Sequence, residues 1–337
     1  METKISSIPL TSADLSSLWN SYQIETMAIC GISHFLQHVE DAEIQTLTEK
    51  ALALAESHKT AIVGILSEEN ITIPHGFTKE DVDVEAPRLF SDTLYLEYLL
   101  NSTELYLNEY CTSFSMADHD NTIEYFSDVI QELKEFQLRA KQVSKEKGTY
   151  LRAPKVPFPE HVSFVKKQNF LSGWFGNRRP LLGQEIAQIS YNAKRNALGL
   201  ALMLGFKQVA KSKEVRNYLE RGRSISQKHF DIFSSILKDD YITNNATPHL
   251  SEVTDSTVSP YSDRLIMSFI STLNGAGLAQ YGKAMAASPR HDLGVHYSRL
   301  SAEIAHYAED GVNLMIKNEW LEQPPISPDR DNLAKQR

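Results

Sequence analysis

Few residues in this chain could do chemistry, and the first to consider are two histidines set in apolar helical faces. At about 100° of rotation per residue, His58 falls within about 10° of the centre of a stripe that includes Leu54, Ala55, Ala61 and Ile62. His229 repeats this placement between Ile225 and Phe233. The same count puts Tyr110 and Tyr281 near the centres of stripes that include Leu99 and Tyr106, or Ile270 and Gly277. Each histidine is therefore expected to be buried in one layer with a tyrosine, with Tyr22 and Glu25 nearby in the first half only. Buried polar groups left unpaired cost about 1–3 kcal/mol apiece, so the plain expectation is that His and Tyr bond each other or water. The functional expectation is a small internal ligand or a single metal beside His58, Tyr110 and Tyr22, or beside His229 and Tyr281. A histidine with a tyrosine and at most one carboxylate is a poor metal set.

A second candidate is the Glu-x-x-His pair Glu303 and His306. Di-metal carboxylate bundles use a Glu from each of two helices and Glu-x-x-His from each of the other two, all facing inward. Measured from the stripe Leu293, Tyr297, Leu300, Ile304, Tyr307, Gly311 and Met315, Glu303 sits roughly 90° and His306 roughly 150° from the centre. His306 is expected to point outward. The first half carries Glu132 and Glu135 at the corresponding positions. A di-iron or di-manganese oxidoreductase is thus the weaker alternative, and no cofactor is expected. No Ser-His-Asp or Cys-His constellation, Walker loop or dinucleotide fingerprint occurs.

The elements that position these residues occur twice. Phe90-Ser91-Asp92-Thr93-Leu94 shares an aromatic-Ser-Asp-x-Leu pattern with Tyr261-Ser262-Asp263-Arg264-Leu265, 171 residues later. One ungapped shift by that offset also superposes Phe35 on Phe206, His58 on His229, Tyr110 on Tyr281 and Glu132 on Glu303. The chain is a tandem repeat, and its 337 residues suit two cores better than one. Helical periodicity runs from about Ala13 to His38 and from Ile44 to Glu69, and the short link between them makes these helices antiparallel. Asn70 to Phe90 carries Pro74, Gly76 and Pro87 without clean periodicity. About 20 extended residues reach about 66 Å, enough to traverse a helix of about 27 residues, about 40 Å long. Ser91 then N-caps a third helix to about Met116, and a fourth ends at Gly148. The second half repeats the order as Ile186–Ala210, Glu214–Asp239, a crossover over Tyr241–Pro260, Ser262–Ala287 and His291–Asn318.

The expected fold is all-α: two tandem ferritin-like four-helix bundles, each with one long crossover between its second and third helices. The first bundle spans 10–150, a Pro/aromatic connector 151–180, the second bundle 181–325, and a frayed tail 326–337. Phe170, Trp174 and Phe175 of the connector are expected to pack under or between the bundles, and Trp320-Leu321-Glu322-Gln323-Pro324-Pro325 to pack back on its own bundle. A basic run, Lys207 to Lys228, faces an acidic second helix, Glu40 to Glu56, and opposite charge could dock the bundles. A net charge of −9 argues against non-specific nucleic-acid binding, which needs Lys and Arg to neutralise phosphates. No window approaches 18 apolar residues and the N-terminus has no signal-like pattern, so a cytoplasmic protein without a membrane span is expected. Cys30 and Cys111 lack metal-type spacing and suit a reduced compartment.

Phe90-Ser-Asp-Thr-Leu and Tyr261-Ser-Asp-Arg-Leu are joined by three further segments: Phe170-Leu-Ser-Gly-Trp-Phe-Gly-Asn-Arg-Arg-Pro180, Gly205-Phe-Lys-Gln-Val-Ala-Lys-Ser-Lys213 and Trp320-Leu-Glu-Gln-Pro-Pro325. Together they resemble an uncharacterised Bacillus-type family, domain of unknown function 3231, over nearly the full length. The resemblance implies tandem ferritin-like bundles, a distant likeness to spore coat F-type proteins, and no established activity or catalytic residues. The expected function is a non-enzymatic binding or structural role, in sporulating or stressed cells by analogy with the family. A protein partner or a small apolar ligand beside His58 or His229 is a further alternative.

Overall fold

In the computed structural model, residues 9–174 and 178–335 are described; Phe175 lies outside them. Eight long helices fill two sets of four: α1 (Ser12–His38), α2 (Ala42–Glu68), α3 (Asp92–Met116) and α4 (Asp120–Glu146), then α5 (Gly183–Val209), α6 (Lys213–Asp239), α7 (Asp263–Ala286) and α8 (His291–Lys317). Among the described residues there is no strand, only two isolated antiparallel bridges. The elements match the tandem all-α architecture read from periodicity, each unit with one long crossover after its second helix.

The repeated motif explains itself residue by residue. Ser91 Oγ accepts the Leu94 N–H and Ser262 Oγ accepts the Leu265 N–H, capping α3 and α7. The Asp92 carboxylate accepts the Glu40 and Asp41 N–H groups, and Asp263 accepts those of Lys211 and Ser212. Each aspartate thus fastens the turn that opens its unit's second helix. Leu94 and Leu265 are buried in the core.

The motif also holds the two units together. Ser91 N–H donates to Glu252 O and Ser262 N–H to Asp81 O, both at 2.9 Å. Asp83 N–H donates to Pro260 O and Thr254 N–H to Leu89 O. The bridges Val82 to Tyr261 and Phe90 to Val253 lie between them. Every one of these contacts becomes its counterpart on adding or subtracting 171, so the two crossovers clasp each other about a local pseudo-twofold axis. Side chains reinforce the clasp: Ser262 Oγ donates to Asp81 Oδ1 at 2.7 Å, and Ser91 Oγ to the Glu252 carboxylate.

Two cores were expected, one per unit, yet the largest buried cluster draws on both halves, with Phe35, Tyr95, Phe206, Tyr261 and Phe269 in it. Tyr98 and Phe269, equivalent in the repeat, meet edge to face at 6.4 Å. Close approach depends on two glycines: a Cβ on Gly31 would lie 3.0 Å from Phe269 Cζ, and one on Gly205 would lie 2.4 Å from Phe90 Cε1. Smaller cores occupy the far ends of each unit.

Three expectations fail here. The opposite charges of α2 and α6 do not dock the units. Arg216 bonds the Ala210 and Lys211 carbonyls, Arg221 pairs with Asp310 and Lys228 with Glu303, all inside the second unit. The tail does not pack only on its own bundle, because Glu322 reaches the first unit and accepts Gln23 Nε2 at 2.6 Å and the His75 N–H at 2.7 Å. Beyond it, Arg330–Lys335 form a short exposed helix, α9. In the connector, Phe170 is half-buried under the Arg179 guanidinium, whereas Trp174 is 54% exposed and Phe164 82%. Trp174 therefore does not pack between the bundles.

Replacing Ser262 with Ala deletes an N-cap and removes the hydroxyl that donates to Asp81 Oδ1, leaving Arg264 on Oδ2. Urea unfolding should report a loss of about 1–2 kcal/mol, and Ser91→Ala a similar one; an unchanged midpoint for both would show that the clasp is incidental.

Candidate functional site

The two histidine layers fall at equivalent places but are wired differently. In the first unit, Glu25 from α1 stands between the other groups: its Oε1 accepts the Tyr110 hydroxyl at 2.6 Å and His58 Nδ1 at 3.2 Å. On the opposite side of the ring, His58 Nε2 meets Glu132 Oε2 of α4 at 2.8 Å. Carboxylates only accept hydrogen bonds, so His58 satisfies both by carrying both ring protons, as an imidazolium. His58 and Tyr110 both sit near the C-terminal ends of their helices, which makes α2 and α3 parallel and explains why the crossover must traverse the bundle.

In the second unit the place of Glu25 is taken by Asn196. Asn196 Nδ2 donates to the Tyr281 oxygen at 2.9 Å, and the Tyr281 hydroxyl meets His229 Nδ1 at 3.1 Å. His229 Nε2 meets Glu303 Oε2 at 3.2 Å, and both oxygens of Glu303 also accept Lys228 Nζ at 2.9 Å. A neutral imidazole completes this chain, accepting at Nδ1 and donating at Nε2.

The electrostatics follow the wiring. Burial alone would lower the His58 pKa, but the hydrogen bonds and charges of Glu25 and Glu132 outweigh it and raise the pKa above the usual histidine value. At His229 burial wins, helped by Lys228 and Arg299 against Glu303, and the pKa is lowered. For Glu303, burial is outweighed by Lys228 and His229, and its carboxyl lies below the usual range. Burial also pushes both tyrosine hydroxyls upward.

Of the residues singled out by sequence, His58 with Tyr110 and His229 with Tyr281 are brought together. Tyr22 shares a buried cluster with Tyr110, and its ring also lies against the crossover, where a Cβ on Gly76 would come within 2.7 Å of Tyr22 Cε1. Glu303 and His306 do not converge, because Glu303 faces His229 while His306 is solvent-exposed beside Glu309. Two carboxylates reach His58 where at most one was expected. Glu25 was expected there; the approach of Glu132 was not read because it, like Glu303, sits at the rim of the apolar stripe, and a long side chain reaches inward from there. The repeat offset, which superposes Glu132 on Glu303, held the signal.

The donor set does not fit a di-metal centre. Glu25 and Glu132 bond opposite nitrogens of His58 and so point at no common position, and the second unit has an amide in place of Glu25. Among the described residues no group of three or more His, Cys, Asp or Glu side chains is arranged to hold a metal ion.

Beside each histidine lies an inner cavity, the same one in the two copies, and His58 also borders a wider, more open cleft of about 360 Å³ with Tyr125, Asp128 and Glu132. In the first unit the inner cavity measures about 40 Å³ and is lined by Ala28, Ala51, His58 and Tyr106, among others. In the second it measures about 70 Å³, with Gly199, Gly222, His229 and Gly277 at those four positions. Its wall includes Arg195, Asn192 and, reaching in from the first unit, Asn101. At its edge Tyr218 and Tyr307 stack at 4.2 Å, each hydroxyl donating to the other's backbone carbonyl.

Fold and site together define a tandem four-helix-bundle protein with one buried histidine layer per bundle. The chain belongs to the family described as protein of unknown function (DUF3231), which it matches twice, over residues 2–162 and 169–333. A crystal structure of a protein provisionally designated a spore coat protein, from Bacillus halodurans C-125, is similar at 17% identity. The match covers 46% of this chain and 98% of that one, with a TM-score of 0.38. No curated protein matches the chain. Among the described residues no helix is long and apolar enough to cross a membrane.

The opposite shifts make a pH prediction. His58, raised, adds stability below about pH 6.5 that is lost as pH climbs through its folded value. His229, lowered, adds stability above about pH 6.5 that is lost as pH falls through its own. Histidine NMR should therefore find His58 charged and His229 neutral at pH 6.5, and Glu132→Gln should bring the His58 titration down; coincident titrations would refute the assigned protonation states.

Proposed function

We propose that the protein is a non-enzymatic binding protein whose second bundle holds a small ligand beside His229, with the first bundle as its structural counterpart. The contrast between the paired cavities carries this reading. Protein interiors leave few voids larger than a water molecule, and the first unit narrows its own to about 40 Å³ by placing Tyr106 where the second has Gly277 and about 70 Å³. A polar void calls for an occupant, and the inner cavity of the second unit is edged by amides, an imidazole and a guanidinium.

Binding is favoured over catalysis by the closed hydrogen-bond chains. His58, carrying both ring protons, has no lone pair to accept another, and the lone pair of His229 is held by the buried Tyr281 hydroxyl. Among the described residues no serine, threonine or cysteine side chain bonds either imidazole, so no activated nucleophile is assembled.

Denaturing protein purified without an affinity tag should release a small molecule detectable by mass spectrometry in near-stoichiometric amount. Gly277→Ala provides the control. Its Cβ would make ordinary contact, 3.7 Å from Ile304 Cδ1, so the emptied protein should gain about 0.5–1 kcal/mol while ligand occupancy falls. If the wild type releases nothing, or the variant keeps full occupancy, the pocket is only a packing defect.

A further inference from the structure

Resting on the ligand-pocket reading, we infer that the occupant of the second-bundle cavity is a small carboxylate of about one to three carbons, received by Arg195 and the amides of Asn101 and Asn192. The cavity wall carries one cationic donor group, Arg195, among asparagine amides that can turn either end inward. Arg195 has five N–H donors, yet it makes one hydrogen bond, from Nη1 to Ala276 O at 3.2 Å. Among the described residues no carboxylate lies within ion-pair distance of its guanidinium. Glu104, whose charge acts on it, belongs to a neighbouring pocket with Tyr191 and does not line this one. Asn101 is 3% and Asn192 1% exposed; the Nδ2 of Asn101 has no hydrogen-bond partner, and that of Asn192 has only the nearby Tyr297 hydroxyl. A guanidinium with most of its N–H groups unpaired by protein is costly to bury, and an anionic acceptor in the cavity would relieve it.

The first unit shows what is missing. There the layer supplies its own carboxylate, Glu25, and the residue aligned with Arg195 is Ile24, while Ser21 aligns with Asn192. The second unit exchanges Glu25 for Asn196 and adds the guanidinium beside it. A carboxylate entering from outside would restore the acidic group to that layer.

Size and lining narrow the class further. About 70 Å³ compares with about 30 Å³ for one water in the liquid, which limits the occupant to a handful of heavy atoms. Leu198, Leu202, Ile225 and Leu273 line the remaining wall, which suits a short hydrocarbon stub. A single negative charge matches the one guanidinium, whereas a dianion such as phosphate would enter with one charge uncompensated.

The full chain is titrated by calorimetry with acetate and with acetamide, its neutral counterpart of the same shape. Acetate should saturate at one site per chain, at least about tenfold more tightly than acetamide. Arg195→Ile, which installs the residue of the first copy, should abolish that preference while the unliganded variant melts no lower than wild type. Should the variant fail to fold, the wild-type comparison still decides. Acetamide binding as well as acetate, or phosphate binding in preference to both, overturns the carboxylate and leaves the pocket standing. No saturation by any probe, in protein that releases no compound on denaturation, overturns the pocket and the carboxylate together.

Discussion

The structure depends on the reciprocal clasp of its two crossovers. A long connection that traverses a bundle has backbone groups to satisfy and no helix of its own to satisfy them. Here each crossover finds its partners in the other: Ser91 with Glu252, Ser262 with Asp81, and two further backbone pairs alongside. The same short motif that caps α3 and α7 supplies the serines and the aromatic rings. Local structure within each copy and the contact between copies are therefore fixed by the same few residues. Phe90 over Gly205 and Phe269 over Gly31 extend that contact into the shared core.

Upon this symmetric frame the histidine layers have diverged. One exchange, Glu25 for Asn196, changes what the neighbouring ring must do. With a carboxylate on each side, His58 bonds both only as a cation. With a tyrosine on one side, His229 completes its chain as a neutral ring. The adjoining cavity changes alongside, because Gly199, Gly222 and Gly277 remove bulk and Arg195 adds charge.

Much of this was legible in the sequence, and the rest was hidden for identifiable reasons. Helix positions followed from apolar periodicity, and the tandem arrangement from the aromatic-Ser-Asp-x-Leu motif. Burial of His58 and His229 followed from their place at the centre of their stripes. Glu132 and Glu303 were missed because angular position records where a Cα points, whereas a glutamate can bend from the rim to the middle. Tyr22 shares a buried cluster with Tyr110, yet being level with His58 says nothing about which neighbour its ring meets, and that ring also lies against Gly76 of the crossover. The crossing of Glu322 to the first unit and the clasp itself are relations between copies, invisible to a reading that follows one helix at a time. The cavity was within reach: Tyr106 opposite Gly277 is a difference of a whole aromatic ring in aligned positions.

Covalent linkage of the copies has a consequence that an assembly of two separate chains could not share. Identical subunits must present the same residue at both equivalent places, so any change that suits one centre is imposed on its twin. A fused pair is released from that equality. It can keep an acidic, proton-retaining centre at position 25 and an amide-lined, proton-refusing one at position 196, on either side of a seam whose backbone contacts still match one for one.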